Sequence, residues 1–251
     1  TRYDNVASFY FFMQNRFFLF LTKLLTLCTV QSFGQINSIS STLHLNDSLH
    51  ILSIQQRIVF HNQSKKNLKT IYLHNWANSF KNNKTPLGKR FIEDYRKSFY
   101  FAKKEERGYS EIKNLSVDFK KNDFYEKNDQ PDVVVVPLVS PLKPKDSITL
   151  SIFYKVKIPN ARFTGYGKTR TGYHLRFWQI IPAVYQEGWQ LMSNLNMDDL
   201  FQDIANYKIT LQLPETYHLE SNLYQYKEKK NGKNSYYLVG NQKKDIILSI
   251  D

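Results

Sequence analysis

From Gln35 onward, apolar and polar residues alternate with a period of two in stretch after stretch, the spacing of strands that bury one face. Residues 147–158 set Ile148, Leu150, Ile152, Tyr154, Val156 and Ile158 on one side, with Ser, Thr and Lys filling most of the other. Residues 207–213 repeat the pattern with Tyr207, Ile209, Leu211 and Leu213. The run Val133 to Val136 is apolar on both faces and β-branched, which predicts a strand through the centre of a sheet. Further strands are predicted over residues 39–45, 49–60, 70–76, 112–119, 172–180, 223–229, 235–239 and 245–250. Turns are predicted at Asn46-Asp47, at 141–146 and at Asn231-Gly232, a dipeptide suited to the positive φ angles of a tight hairpin.

One helix interrupts the strands. Thr85 can cap it, Pro86 suits its first position, and Leu87, Phe91, Tyr95 and Phe99 recur every four residues before Gly108. This predicts a helix over 86–104 whose aromatic stripe packs on the sheet. The expected fold is mainly β: an antiparallel β-sandwich or saddle-shaped sheet with one inserted helix, forming one domain over 35–251 with no internal repeat.

Composition supports a folded chain, at 41% hydrophobic and 15% aromatic over 251 residues. Residues 1–34 stand apart. Met13 is the first methionine, so residues 1–12 are expected to be an upstream extension, and 13–34 have the layout of a secretory signal peptide. Arg16 and Lys23 supply positive charge, residues 17–30 the apolar run, and Ser32 and Gly34 the small residues at which cleavage would leave Gln35 first. With Lys23 inside it, that run is short of the ~20 residues that cross a bilayer, so no transmembrane anchor is expected and the location is secreted or periplasmic. Leu27, just before Cys28, argues against lipidation.

Removing this leader takes away Cys28, the only cysteine, and with it disulfides, thiolate ligands and thiol catalysis. Loss of Arg2, Arg16, Lys23 and Asp4 lowers the formal charge from +13 to about +11. The lysines cluster beside asparagine in turns (Lys65-Lys66-Asn67, Lys120-Lys121-Asn122, Lys229-Lys230-Asn231), where they solubilise loop tips. Nucleic acid is therefore not the expected partner.

Candidate chemistry is sparse. The histidines His44, His50, His61, His74, His174 and His218 include no pair four residues apart with a glutamate beside the first, the helical arrangement that holds zinc. Glu187, Asp198, Asp199 and Asp203 form the one acidic concentration, without the glycine and alternating oxygen ligands of a calcium loop. No Gly-x-Ser-x-Gly nucleophile turn occurs. Phe163, Tyr166, Trp178, Tyr185 and Trp189 form the aromatic concentration, either a contact surface or the core of the sheet's rim.

Arg176, Trp178 and Pro182 resemble the arginine, aromatic and proline signature near the end of the N-terminal β-domain in the aminopeptidase N family of zinc metallopeptidases. Residues 207–214 resemble the strand that follows it, and Ser221-Asn222 its Ser-Asn pair. Residues 159–167, Trp76-Ala77-Asn78 and Thr85-Pro86-Leu87 resemble the Bacteroidetes-type branch. The family's Cys-x-Asp-Glu-Pro continuation is replaced by residues 183–189, so no substrate-binding residue is carried over. His-Glu-x-x-His and Gly-x-Met-Glu-Asn do not occur.

The resemblance implies a non-catalytic N-terminal domain over 35–251 that forms one wall of the peptide cleft in an intact secreted zinc aminopeptidase. Its implied partners are the missing catalytic domain, which would hold the zinc, and the peptide substrate. This chain alone would hold no catalytic or metal-binding residue and be inactive. Phe163, Tyr166, Trp178, Tyr185 and Trp189 would then be interdomain or ligand contacts. The alternative expectation is a free-standing secreted module binding glycans or anionic polymers.

Overall fold

A computed structural model describes residues 35–251 apart from Asp199 and Asn231. The expected extension and signal peptide, one acidic residue of the 187–203 concentration and the Asn of the Asn231-Gly232 turn therefore lie outside the described residues. Residues Ile36–Asp251 form one unit.

The chain opens with β1 (Asn37–Asn46), β2 (Ile51–His61) and β3 (Leu68–His74), followed by helices α1 (Pro86–Glu93) and α2 (Lys97–Tyr100). Next come β4 (Tyr109–Val117), β5 (Lys120–Lys121), β6 (Tyr125–Lys127), β7 (Gln130–Leu142) and β8 (Ser147–Lys157). A run of short strands follows: β9 (Gly167–Lys168), β10 (Tyr173–Leu175), β11 (Ile181–Pro182), β12 (Val184–Tyr185) and β13 (Trp189–Gln190). The last are β14 (Ala205–Pro214), β15 (Leu219–Ser221), β16 (Tyr224–Lys230), β17 (Lys233–Lys243) and β18 (Leu248–Ile250).

Eight strands form the main sheet in the order β16-β17-β14-β1-β2-β8-β4-β5. Two four-stranded sheets, β15-β18-β10-β9 and β11-β3-β7-β6, accompany it, with the small hairpin β12-β13. The period-two pattern decides which face of the main sheet is covered. Ile39 and Leu43 of β1, Ile54 and Ile58 of β2, Leu150 and Ile152 of β8, and Ile209 and Leu211 of β14 are all at most 2% exposed. They share one core with Ile71 and Leu73 of β3, Val134 and Val136 of β7 and Leu248 and Ile250 of β18, so side chains of all three sheets meet in it. Val133 to Val136 are buried throughout, and β7 is an interior strand between β3 and β6.

Three details differ from the expectation. Pairing between the named strands is antiparallel except between β1 and β14, which run parallel from Asn37 opposite Ala205 to His44 opposite Gln212. That pair joins segments far apart in sequence, so no local turn signal announces it. The strand predicted over 172–180 is pairing-competent only at Tyr173–Leu175, because Phe177 takes a left-handed backbone (φ 55°) that ends it.

The predicted helix over 86–104 is also cut short. Thr85 Oγ1 accepts from Gly88 N–H at 3.1 Å and Pro86 starts α1 as expected. The helix stops after Glu93 because Tyr95 turns left-handed (φ 57°), with Arg96 N–H donating to Phe91 O (2.7 Å) and Tyr95 N–H to Ile92 O (3.0 Å). This is a Schellman closure with tyrosine where glycine is usual. Leu87, Phe91 and Phe99 are buried as the stripe predicts, but Tyr95 is 87% exposed. The stripe forms a small cluster of its own with Phe80, Ala102 and Phe163.

Candidate functional site

The segment from Arg176 to Gln202 holds most of the sequence-level signal. Its first part is fixed from beneath: Ile180 N–H donates to Tyr154 Oη (3.2 Å), Tyr154 Oη donates to Gln56 Oε1 (2.5 Å), and the Gln56 amide donates to Ile180 O. Tyr154 is wholly buried, and burial raises its hydroxyl pKa above the ordinary tyrosine value, so it stays a neutral donor.

The kink at Phe177 puts Arg176 and Trp178 on different errands. Trp178 enters the core at 4% exposure. Arg176 lies against the Phe177 ring (4.4 Å) and the Tyr166 ring (5.5 Å) and is bound by three separate segments. Its Nε pairs with Asp245, one terminal nitrogen donates to Tyr166 Oη (2.9 Å), and the other donates to Asp198 O (2.7 Å). Partial burial opposes the charge, but Tyr166 and Asp245 outweigh it and raise the Arg176 pKa further.

A second set of ties holds residues 192–194 on the opposite side. His74 Nε2 accepts from Met192 N–H (3.1 Å), and Trp76 Nε1 donates to Met192 O (2.8 Å). The two rings stack at 4.6 Å. Asp132, buried at 0% exposure, accepts from Ser79 Oγ (2.8 Å), Ser193 Oγ (2.9 Å) and Asn194 N–H (2.8 Å). Burial pushes the Asp132 carboxyl above the ordinary carboxylate range despite those donors. It pushes the His74 imidazole down to about 4. Residues 192–198 are thus a strap fixed at one end by His74, Trp76 and Asp132 and at the other by Arg176. Leu195 and Met197 stand out from it at 36% and 52% exposure, with Phe201 just beyond at 38%.

The five aromatic candidates do not form one surface. Phe163, at 1% exposure, is an edge-on partner of Phe99 (5.1 Å) in the helix cluster, and Trp178, at 4%, packs in the main core, so burial sets both apart from the other three. Tyr185 and Trp189 face each other across β12-β13 (5.1 Å), with Trp189 also packed on Tyr72 (5.5 Å) and Phe60 (6.0 Å). Both remain half-buried. Tyr166 is half-buried beside Arg176. Tyr166, Phe177 and Trp178 help to line a mainly apolar cavity of about 40 Å³, room for a few waters.

The histidines are dispersed. Among the described residues no group of three or more His, Cys, Asp or Glu side chains is placed to hold a metal ion. His50 is part of a polar chain instead: Lys168 Nζ contacts His50 Nε2 (2.8 Å), His50 Nδ1 contacts Tyr173 Oη (2.8 Å), and Tyr173 donates to Asp47. Burial lowers the His50 pKa and Lys168 lowers it further, which favours a neutral ring accepting from the ammonium. Of the acidic concentration, Asp198 is fully exposed and offers its backbone to Arg176, while Asp203 caps its own loop through Ile204 N–H (2.9 Å). No described helix is long and apolar enough to cross a membrane.

No family model and no curated protein matches the chain by sequence. Solved structures match its fold. A mutant M1 zinc metallopeptidase from Deinococcus radiodurans superimposes with a TM-score of 0.50 at 12% identity, over 86% of this chain and 41% of that one. A mutant two-domain M1 zinc metallopeptidase bound to L-tryptophan gives a TM-score of 0.49 at 12% identity, over 86% and 43% of the two chains. The chain therefore spans less than half the length of the metallopeptidases it matches.

Proposed function

We propose that this chain is the N-terminal β-domain of a secreted zinc metallopeptidase of the aminopeptidase N type, with the zinc chemistry carried by a catalytic domain outside it. The observation that carries the proposal is a fold likeness that takes in most of this chain and well under half of a zinc metallopeptidase. The sequence resemblance points the same way from independent residues: Arg176, Trp178 and Pro182 lie in the segment that turns from β10 through the Phe177 kink into β11.

In this reading the domain positions and encloses; it does not cleave. Peptide hydrolysis needs a metal-bound or otherwise activated water, which the catalytic domain would supply. The strap over 192–198 and the β12-β13 hairpin supply this domain's side of the contact, with Tyr185, Trp189, Leu195 and Met197 as the residues that the partner domain covers. An apolar group left uncovered in this way binds hydrophobic probes.

Two measurements on the purified protein test the proposal. It should release no amino acid from aminoacyl anilides, with or without added zinc. It should also bind a hydrophobic dye, and Trp189→Ser together with Met197→Ser should reduce that binding while the far-ultraviolet spectrum stays unchanged. Chelator-sensitive turnover that disappears on replacing His44 or His50 would refute the non-catalytic role. A dye-silent monomer would refute the interdomain face.

A further inference from the structure

The main sheet has a second face that the core does not use, and its residues are ordered in rows by the strand register. One row crosses five strands: Phe153 on β8 is opposite Gln55 on β2, Gln55 opposite Thr42 on β1, Thr42 opposite Thr210 on β14, and Thr210 opposite Tyr237 on β17. Tyr237 continues the row by stacking on Tyr226 of β16 (4.8 Å, 14° between planes). The adjacent row places Ser151, Arg57, Ser40 and Lys208 in line. The central part of both rows lines an open hollow of about 540 Å³.

The chemistry of this hollow is unlike a surface that merely keeps a domain soluble. Aromatic rings stand at both ends of one row, with Phe153 at 37% and Tyr226 at 49% exposure. Between them are hydroxyl and amide groups. Arg57 and Lys208 are exposed and have no ion-pair partner among the described residues. Strands lie about 4.8 Å apart, so the aromatic ends, five strand intervals apart, are separated by about 24 Å and the two cations, two strand intervals apart, by about 10 Å.

We infer that this face binds an extended acidic polysaccharide that carries a carboxylate on alternate sugars. Aromatic faces take the apolar faces of sugar rings, and Thr, Ser and Gln side chains supply both donors and acceptors for ring hydroxyls. The spacing of Arg57 and Lys208 is close to the rise of an extended disaccharide, and a guanidinium takes a carboxylate through two parallel hydrogen bonds. Single-stranded nucleic acid has aromatic bases to stack, but its charge falls on every unit, and two cations over this length leave most of its phosphates unmatched. The inference does not depend on the metallopeptidase reading, and it uses none of the residues assigned to the interdomain face.

Calorimetric titration of the purified protein with hyaluronan oligomers, in which uronate alternates with a neutral hexosamine, tests it. Saturable binding is expected, weakening as salt is added, with neutral N-acetylglucosamine oligomers at least tenfold weaker. Arg57→Gln combined with Lys208→Gln should weaken hyaluronan binding at least tenfold with the melting temperature unchanged, because both side chains are exposed, and Phe153→Ala should weaken it separately while lowering the melting temperature only modestly, because the ring is partly covered. Absence of binding by the native protein, or binding that the double variant retains in full, would overturn the inference. So would equal affinity for oligothymidylate with the same residue dependence, or light scattering that shows a second copy of the chain covering this face.

Discussion

Acidification should loosen the strap by a calculable amount through His74. The imidazole is at 0% exposure, its Nε2 accepts from Met192 N–H (3.1 Å), and the proton therefore sits on Nδ1, which has no hydrogen-bond partner among the described residues. Burial is the dominant cause of its depressed pKa, about 4 against the ordinary 6.5, and the Gln190 backbone, too poorly aligned to make a regular hydrogen bond with the ring, opposes it only in part. The folded state thus refuses a proton that the unfolded state accepts. Stability present above pH 6.5 is lost as the pH falls towards 4, and at about 1.4 kcal/mol per pKa unit the loss between pH 7 and pH 4 is about 3 kcal/mol. Protonation also places a hydrogen on Nε2 where Met192 N–H already points, so the lost energy comes with a lost tie.

Other groups titrate in the same range. His50 and His61 are also depressed and add to the loss, whereas the raised Asp132 carboxyl works the other way: its folded form keeps a proton that the unfolded chain has released, so its contribution is present at low pH and fades as the pH rises. A comparison isolates His74. Urea unfolding followed by tryptophan fluorescence should be run from pH 7 to pH 4 on the native protein and on His74→Gln, whose side-chain oxygen can still accept from Met192. The variant should be less pH-sensitive by about 3 kcal/mol over that range. Equal pH slopes in the two proteins would refute the argument, because they would mean that His74 is solvated enough to titrate normally.

Two substitutions test the fold at opposite extremes. Ile152→Asp places a carboxylate at a position 2% exposed in the middle of β8 and should cost at least about 4 kcal/mol, read as a large drop in melting temperature; native stability would mean that the wrong face of the main sheet has been assigned to the core. Tyr95→Gly removes a left-handed non-glycine residue from the end of α1 and should raise the unfolding free energy by up to about 1 kcal/mol, the relief of backbone strain exceeding the added freedom of the unfolded chain. A loss of stability there would show that the tyrosine ring, though 87% exposed, makes a contact worth more than the strain.

The faces of β8 and β14 were legible in the sequence because burial on one side of a strand leaves a period of two that needs no knowledge of partners. The same holds for the start of α1, where Thr85 and Pro86 act within one turn. What failed was anything set by a single backbone angle at an ordinary residue. Tyr95 and Phe177 both turn left-handed, and neither is the glycine or asparagine by which such a turn is usually recognised. One shortened the helix and the other ended the strand predicted over 172–180. The parallel pairing of β1 with β14 was hidden for a different reason, since each strand alone alternates identically whichever way its neighbour runs.

The candidate site divides along the same line. Aromatic composition located the right stretch of chain, yet it could not say which rings point inward: Phe163 and Trp178 fill cores, while Tyr185 and Trp189 stay half-buried. The residues that hold the site together carried no local mark at all. His74 and Met192, Asp132 and Asn194, and Arg176 and Asp245 meet across 118, 62 and 69 positions of sequence. Arg176 entered the sequence reading only through a family resemblance, and the structure gives it a physical task that explains why an arginine suits the position. Its planar fork reaches Asp245, Tyr166 and the Asp198 carbonyl in separate directions while its face rests on Phe177. A lysine, with one nitrogen at the end of a flexible chain, cannot hold three segments at once, so the strap's geometry depends on guanidinium chemistry and not on positive charge alone.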